Sequence, residues 1–277
     1  MVFYIKMTLT FIFNADDFGR SSEENQKVAS VIAGGIVKSV TVMANFSQSI
    51  EVQKLKKDAP ELGVGVHLNV TEGSPVLSLH RVRSILSENG TFLSKKGLLR
   101  RLTCGKISFN EVRLELVSQI DKMLDLVGRV SHIDSHQNIH LFPGIAESAA
   151  FACKLRGITK VRSQREITVP RIPGGFKQFF HLLKAAIRTF GQNKLEKLGL
   201  RSPAPILTGI PGYGQGSTDW QIGLSWWKQY IPLLRPGIYE ICLHPGCSPA
   251  EVKLYTSDEF KTYFFAKGYN SLSFNDV

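Results

Sequence analysis

Residues 9–19 read Leu-Thr-Phe-Ile-Phe-Asn-Ala-Asp-Asp-Phe-Gly, an apolar run that passes directly into two adjacent carboxylates. The short apolar run predicts a buried first β-strand over about residues 8–14. Asp16 and Asp17 then follow the strand, where burying two neighbouring carboxylates without partners is costly. A helix cap or a turn before Gly19 would explain one of them. The pair therefore indicates a functional site at the carboxyl end of this strand.

Short β-like runs alternate with helical runs along the rest of the chain. Strands are predicted at about residues 8–14, 39–44, 62–70, 131–134, 160–162, 205–208 and 237–243, and helices at about 22–34, 47–57, 109–126 and 143–156. This alternation predicts βαβ crossovers and a mainly parallel sheet. The predicted fold class is α/β, a closed or distorted (β/α) TIM-like barrel, with an open doubly wound sheet as the alternative. We expect a single domain over residues 1–277, with insertions at about 73–106 and 171–201.

The composition is that of an ordinary globular protein. The chain has 277 residues, of which 43% are hydrophobic and 21% charged, so extensive disorder, a collagen-like body and a coiled coil are excluded. It contains no uninterrupted apolar run long enough for a spanning helix. Its four cysteines form no C-x-x-C pair and are read as buried thiols of a reducing compartment. We therefore expect a cytoplasmic protein.

Positive charge is concentrated in one segment. The net charge is +11, and residues 154–201 carry twelve Lys or Arg against two acids, a net +10. This segment is either a solvated basic face, a clamp for an anionic ligand, or a helix on a membrane surface. Residues 176–200 combine apolar residues at helical spacing with interleaved cations, which fits a helix packed on its own barrel, a dimer contact, or an amphipathic lid for an anionic or lipid-linked sugar. No nucleic-acid partner is predicted.

Imidazoles and carboxylates recur at the ends of four predicted strands. Asp16 and Asp17 follow the first strand, His67 lies in the third, residues 132–140 hold three histidines and an aspartate, and His244 closes a later strand. In a parallel barrel these ends meet at one face. Asp and His are ligands for a divalent metal that leave positions open for water and substrate. The pattern predicts a metal-assisted hydrolase.

Four blocks of this sequence resemble the YdjC-type carbohydrate deacetylases. They are N-A-D-D-F-G at 14–19, G-V-H-L-N-V-T-E-G at 65–73, H-I-D-S-H-Q-N-I-H at 132–140 and L-H-P-G at 243–246. Their order and spacing agree with the family, which includes chitooligosaccharide deacetylases and a hopanoid-biosynthesis branch. The resemblance implies a distorted barrel, removal of an N-acetyl group from an amino sugar or oligosaccharide, and a homodimer.

The resemblance also implies roles for individual residues. The family's metal ligands correspond to Asp17, His67 and His136, its proposed base to Asp16 and its proposed acid to His244. One divalent ion is implied, magnesium by resemblance, while the ligand types also suit zinc, manganese or cobalt.

The substrate contacts are the least transferable part of the resemblance. The family usually has a histidine where this chain has Asn138, so contacts there are expected to differ. The candidate substrate-binding residues are His140, Asn69, Arg162 and Arg165.

Three alternative functions remain open on the sequence. A phosphoesterase on the same barrel could use Arg162 and Arg165 to hold phosphate. A glycosidase would need two carboxylates flanking the scissile bond, and the adjacent Asp16 and Asp17 suit a metal better. A non-catalytic polyanion-binding module would leave the Asp and His pattern unexplained.

Overall fold

The computed structural model describes residues 8–168, 188–208, 210 and 219–277. These residues contain eight strands in one parallel sheet: β1 (Leu9–Phe18), β2 (Ser39–Val42), β3 (Gly63–Leu68), β4 (Ile133–Ser135), β5 (Glu166–Thr168), β6 (Ile206–Thr208), β7 (Gly237–Leu243) and β8 (Asn270–Leu272). The strand order is β4-β3-β2-β1-β7-β6-β5, and β8 pairs with the first half of β1. The predicted α/β class is confirmed.

Helices follow most of the strands, as a parallel sheet requires. They are α1 (Ser22–Ala33), α2 (Val52–Asp58), α3 (Lys95–Thr103), α4 (Phe109–Val127), α5 (Ile145–Leu155), α6 (residues 188–197), α7 (Trp220–Tyr230), α8 (Pro249–Thr256) and α9 (Asp258–Ala266). Serine side chains cap several helix starts; Ser21, for example, accepts a hydrogen bond from the backbone N–H of Glu24 at the start of α1. No helix among the described residues is both long and apolar enough to cross a membrane.

Residues 160–162 extend the sheet beyond β4 without forming a strand. The backbone of Ile133 in β4 donates to Lys160 and accepts from Arg162, while Val161 donates to Arg201. The strand predicted at 160–162 is not formed, because each of these pairings is a single isolated bridge and neither extends into a ladder. These links curl the sheet into a distorted barrel, which confirms the predicted fold class.

The side chains of the first strand alternate between the outer face of the sheet and the interior of the barrel. Phe11 and Phe13 are fully buried on the outer face, where both rings contact Trp227 and Phe264. Ile12 points the other way and packs inside the barrel. Burying each phenylalanine contributes about 1.5–3 kcal/mol, so the outer cluster holds β1 firmly in place. A firm β1 matters because the two aspartates lie on its last residues.

The first predicted insertion, 73–106, lies against α4. Two carboxylates of α4 hold it: Glu115 accepts from the backbone N–H groups of Val76 and Leu77, and Glu111 accepts from that of Ser84. The segment contains two single helical turns and then α3. It is therefore packed on the barrel, while the assignment of the chain to a single domain stays a prediction.

The second predicted insertion, 171–201, falls partly outside the described residues. Residues 176–187 of the proposed amphipathic helix lie outside the described residues. They include Phe176, Phe179, Phe180, Leu183 and Ile187, with Lys177 and Lys184. In α6, Arg188 pairs with Glu166, and Lys194 lies 3.1 Å from Glu147. Two of the four cations expected on its basic face are thus matched by carboxylates of the same chain.

Candidate active site

Strands β1, β3, β4 and β7 direct their carboxyl ends into one cavity of about 390 Å³. Its lining includes Asp16, Asp17, Arg20, His67, Glu72, His136, Asn138, Arg162, Cys242 and His244. The polar residues that the sequence places at four strand ends are therefore together in space. A second cavity along α3 is lined by apolar and cationic residues and Cys104, so the acid–base chemistry lies in the first.

A bulge at the end of β1 turns both aspartates toward the cavity. Side chains alternate between faces in a regular strand, so neighbouring residues cannot share one. The pairing of β1 with β2 shifts register between Ala15 and Phe18, and Asp17 has a left-handed backbone with φ of 62°. Strand β1 therefore runs four residues past its predicted end at Asn14. The bulge therefore allows the side chains of Asp16 and Asp17 to face the same cavity.

Asp17, His67 and His136 converge on one point. Asp17 Oδ1 lies 3.2 Å from His67 Nε2 and 2.9 Å from His136 Nδ1, and one ligand atom from each residue falls within 4.8 Å of the others. Burial opposes ionisation of Asp17, but hydrogen bonds from both histidines hold its pKa well below the usual range. One carboxylate and two imidazoles in contact form a donor set suited to a divalent metal.

A buried carboxylate orients His67 from behind. Asp134 Oδ1 lies 2.7 Å from His67 Nδ1, and Thr41 donates to Asp134 Oδ2 at 3.0 Å. Burial disfavours the charged imidazole, yet Asp134 raises the pKa of His67 well above its ordinary value. The pairing leaves Nε2 directed at Asp17, which is the arrangement that carboxylates impose on metal-binding histidines. The residues present therefore fit a metal.

Glu72 closes the other side of the cluster. Its Oε2 lies 3.0 Å from His136 Nε2, at ion-pair distance without hydrogen-bond geometry, and its Oε1 accepts from Arg20 at 2.6 Å. The His136 imidazole at this distance is the main cause that lowers the pKa of Glu72. Glu72 and Arg20 together form one rim of the cavity.

Asp16 belongs to a different network from its neighbour. Both its oxygens accept from Arg162, at 2.5 and 2.6 Å, and Arg162 also lies 2.7 Å from Asp134 Oδ2. Burial opposes ionisation of Asp16, but the Arg162 guanidinium lowers its pKa. Arg162 also donates to Glu240, whose pKa burial raises to about 7. The buried guanidinium of Arg162 thus pairs with three carboxylates.

His244 lies beside Asp16 at the carboxyl end of β7. Its Nε2 is 3.9 Å from Asp16 Oδ2, and its ring is about a third exposed. The buried carboxyl of Glu251 accepts from the backbone N–H of His244 at 2.6 Å and fixes the turn that carries the ring. Burial raises the pKa of Glu251 to about 8. The site therefore has an ionised carboxylate and an imidazole next to the proposed metal ligands.

Comparison with known proteins agrees with this geometry. The family model described as YdjC-like protein matches residues 10–266. This chain belongs to the YdjC-like family.

Relatives of this YdjC-like protein carry deacetylase names. A protein from Salmonella heidelberg named chitooligosaccharide deacetylase is 27% identical over 98% of this chain and 100% of its own length. A mouse protein named carbohydrate deacetylase is 31% identical over 56% of this chain and 50% of its own length. A crystal structure of an Enterococcus faecalis protein covers 97% of this chain and 98% of that one, with a TM-score of 0.73 and 22% identity, which shows the shared fold.

Two of the candidate substrate-binding residues of the YdjC-like protein lie behind the cavity wall. Asn69 is fully buried, and its Oδ1 accepts from the backbone N–H groups of Thr71 and Glu72. His140 is also fully buried, bonds to Ser135, and has its pKa lowered to about 3 by burial and by the repulsion of Arg162. Their hydrogen bonds stabilise the loops that follow β3 and β4. Direct substrate contact by either stays a prediction.

The two candidate arginines differ in exposure. Arg162 lines the cavity but is 2% exposed and holds carboxylates with its guanidinium. Arg165 is 55% exposed at its side chain and pairs with Glu196 at 2.7 Å. Their contact with substrate also stays a prediction, since each cation already has an acidic partner.

The structure adds four acidic residues that sequence reasoning assigned no role: Asp134, Glu240, Glu251 and Glu72. Asp134 lies between the histidines of the third block, and Glu72 lies in T-E-G of the second, so both had a sequence signal. Glu240 and Glu251 are single acids in apolar surroundings. Glu240 interrupts the apolar run of β7, which was its only sequence signal, and Glu251 had none because Lys253 follows it closely.

A left-handed turn follows His136. Gln137 and Asn138 have φ of 55° and 57°, and both line the cavity. Asparagine adopts this backbone conformation more readily than most residues. Asparagine at position 138, where the family usually has a histidine, therefore suits this left-handed turn.

Proposed function

We propose that this YdjC-like protein is a metal-dependent hydrolase that removes an N-acetyl group from an acetylated amino sugar or oligosaccharide. The convergence of Asp17, His67 and His136 beside the Asp16–His244 pair carries the proposal. The deacetylase names of its relatives supply the reaction type.

The metal would be held by Asp17, His67 and His136. When bound, it supplies a Lewis acid for the acetamide carbonyl and lowers the pKa of a coordinated water. Asp134 keeps His67 aligned, and Glu72 lies within 3.0 Å of His136. Imidazole and carboxylate ligands suit zinc, manganese and cobalt, and magnesium remains the metal implied by the resemblance.

Asp16 and His244 divide the proton transfers. Asp16 is held ionised by Arg162, so it can accept the proton that the attacking water loses. His244 donates a proton to the sugar nitrogen as the C–N bond breaks, because an amide anion is a poor leaving group. The products are acetate and a free amine.

The pairing of the arginines favours amide over phosphate hydrolysis. A phosphoesterase needs cations free to hold phosphate, whereas Arg162 and Arg20 each hold carboxylates around the cavity. A polyanion-binding module would leave the buried acid–base network without a function.

The proposal includes a cytoplasmic homodimer. All four cysteines are free, although only Cys153 is fully buried and Cys104 is exposed, contrary to the prediction of buried thiols. Free thiols support a reducing compartment, and the family resemblance supports the dimer. A peripheral membrane or lipid-linked contact stays a prediction for the basic segment.

A product assay tests the reaction class. The zinc-loaded protein is incubated with N-acetylated sugars of different length and with sugar phosphates. The proposal expects acetate and amine in equal amounts from at least one acetylated sugar. Phosphate release without amine would contradict it and support the phosphoesterase.

A further inference from the structure

A second group of ligand atoms lies next to the proposed metal ligands. Cys242 Sγ is 3.1 Å from Asp16 Oδ2 and 4.0 Å from His244 Nε2, and His244 Nε2 is 3.9 Å from Asp16 Oδ2. Strand β7 creates this arrangement, because Cys242 and His244 are two residues apart and share a face. The group shares no residue with Asp17, His67 and His136.

We propose that Asp16, Cys242 and His244 form a second site, selective for thiophilic divalent cations such as Zn²⁺ and Cd²⁺. Zinc bonds of about 2.3 Å to sulfur and about 2.0–2.2 Å to nitrogen and oxygen place tetrahedral ligands about 3.3–3.6 Å apart. The three observed separations, 3.1, 4.0 and 3.9 Å, lie near these values. The partly exposed His244 ring can rotate to close the difference.

Three carboxylates offset the positive charge of Arg162 beside this group. Arg162 is the guanidinium of this network, and it faces the carboxylates of Asp16, Asp134 and Glu240. Coordination would release the Cys242 thiol proton to solvent and place a divalent charge beside an acidic cluster. Thiolate ligands prefer zinc and cadmium to magnesium, so Mg²⁺ would not occupy this site.

Occupancy would withdraw both acid–base residues from catalysis. This consequence rests on the proposed function, since Asp16 and His244 are there the base and the acid. Excess Zn²⁺ would therefore inhibit the enzyme after a first equivalent has activated it. The binding itself needs no catalytic assumption.

The binding test uses Cd²⁺ and its charge-transfer absorption with thiolate. Protein carrying Cys104→Ser, which removes the exposed thiol, is loaded with one equivalent of Zn²⁺ and titrated with Cd²⁺. We expect a thiolate band that Cys242→Ser and Cys242→Ala both abolish, with the Cd²⁺ dissociation constant raised by more than about 100-fold. Cys247→Ser is the matched control, because Cys247 also lines the cavity but lies outside the ligand group. Circular dichroism and retention of the first Zn²⁺ check that each variant is folded.

Several results would overturn the second site. They are the absence of a band in the parent protein, a band that survives Cys242→Ser, or a band that Cys247→Ser also removes. In activity assays, excess Zn²⁺ should slow the parent and Cys247→Ser but leave Cys242→Ser at its own uninhibited rate, and equal inhibition of all three would contradict the site. Because the band is independent of turnover, failure of deacetylation and failure of metal binding are distinguished.

Discussion

Asp16 and Asp17 are adjacent in sequence but belong to separate networks. Asp17 contacts His67 and His136, whereas Asp16 contacts Arg162 and lies beside His244. The bulge in β1 is what separates them, since it lets neighbouring residues face one cavity from different angles. This separation makes their proposed roles experimentally distinguishable.

Asparagine substitutions should separate the two aspartates. The Asp16→Asn variant is expected to bind the metal normally, with its turnover rate reduced about 100- to 10,000-fold, the usual contribution of a general base. Asp17→Asn is expected to lose both, because the substitution removes a charged ligand. Metal content by elemental analysis and amine release measure the two effects. Equal metal loss in both variants would show that the roles are misassigned.

Asp134 should influence metal affinity without touching the metal. Asp134→Asn weakens the contact that orients His67, and loss of such a partner typically costs about 10- to 100-fold in metal affinity. Competition with a chelator measures the change. Asp121→Asn is the control, because Asp121 pairs with Arg156 on the exposed surface. Identical affinities in the two variants would refute this role for Asp134.

Asn138 offers a test of backbone conformation. At φ of 57°, alanine should cost about 1 kcal/mol of unfolding free energy, whereas glycine should be nearly neutral. Urea denaturation of Asn138→Ala and Asn138→Gly compares them. If both lose the same stability, the asparagine side chain matters more than its backbone angle.

At the scale of elements, the sequence predicted α1, α2, α4, α5 and most strands, but it did not predict α3, α7, α8 or α9. Strand β7 was predicted with its observed bounds, and β3 and α4 nearly so, because each has clear periodicity and a turn residue at its end. The bulge of β1 was not predicted, and residues 160–162 were predicted as a strand although they form only isolated bridges, because tertiary hydrogen bonds and not local pattern determine both. Strands β5 and β8, of three residues each, were not predicted.

The candidate site was predictable where functional residues follow strands in sequence. The four motif blocks identified Asp16, Asp17, His67, His136 and His244, and all five line one cavity. The paired state of Arg162 was not predictable, because its three acidic partners come from β1, β4 and β7. Only the folded barrel brings those strands together.

Helix α8 carries a carboxyl whose burial should make stability depend on pH. The pKa of Glu251 is raised to about 8 in the folded state, so the folded protein binds this proton more tightly than the unfolded chain. Its contribution is present below the unfolded pKa and is lost as pH rises toward 8.

Glu251→Gln should remove that dependence. Relative to the parent, the variant is expected to gain about 2–4 kcal/mol of unfolding free energy between pH 5 and pH 8. Urea denaturation at the two pH values measures the difference. A parent and variant that change in parallel would show that Glu251 does not titrate in this range.

Across the whole molecule, the residues that stabilise the barrel and those that form the cavity lie in different places. The aromatic cluster around Phe11 and Trp227 stabilises the outer face of β1, and the last residues of β1 include the acidic pair. Acids of the same chain pair with Arg188 and Lys194, so part of the excess positive charge is matched internally. Activity should therefore depend on the cavity and the proposed metal more than on the basic segment.

A zinc titration of chelator-treated protein tests this account most directly. Wild-type turnover of an N-acetylated sugar should rise from near zero and reach its maximum at one equivalent of Zn²⁺. His67→Ala and His136→Ala should stay folded, bind no metal at this site and remain inactive, because each loses a ligand without emptying the core. Full turnover by metal-free wild-type protein, or full zinc occupancy in either variant, would contradict the account.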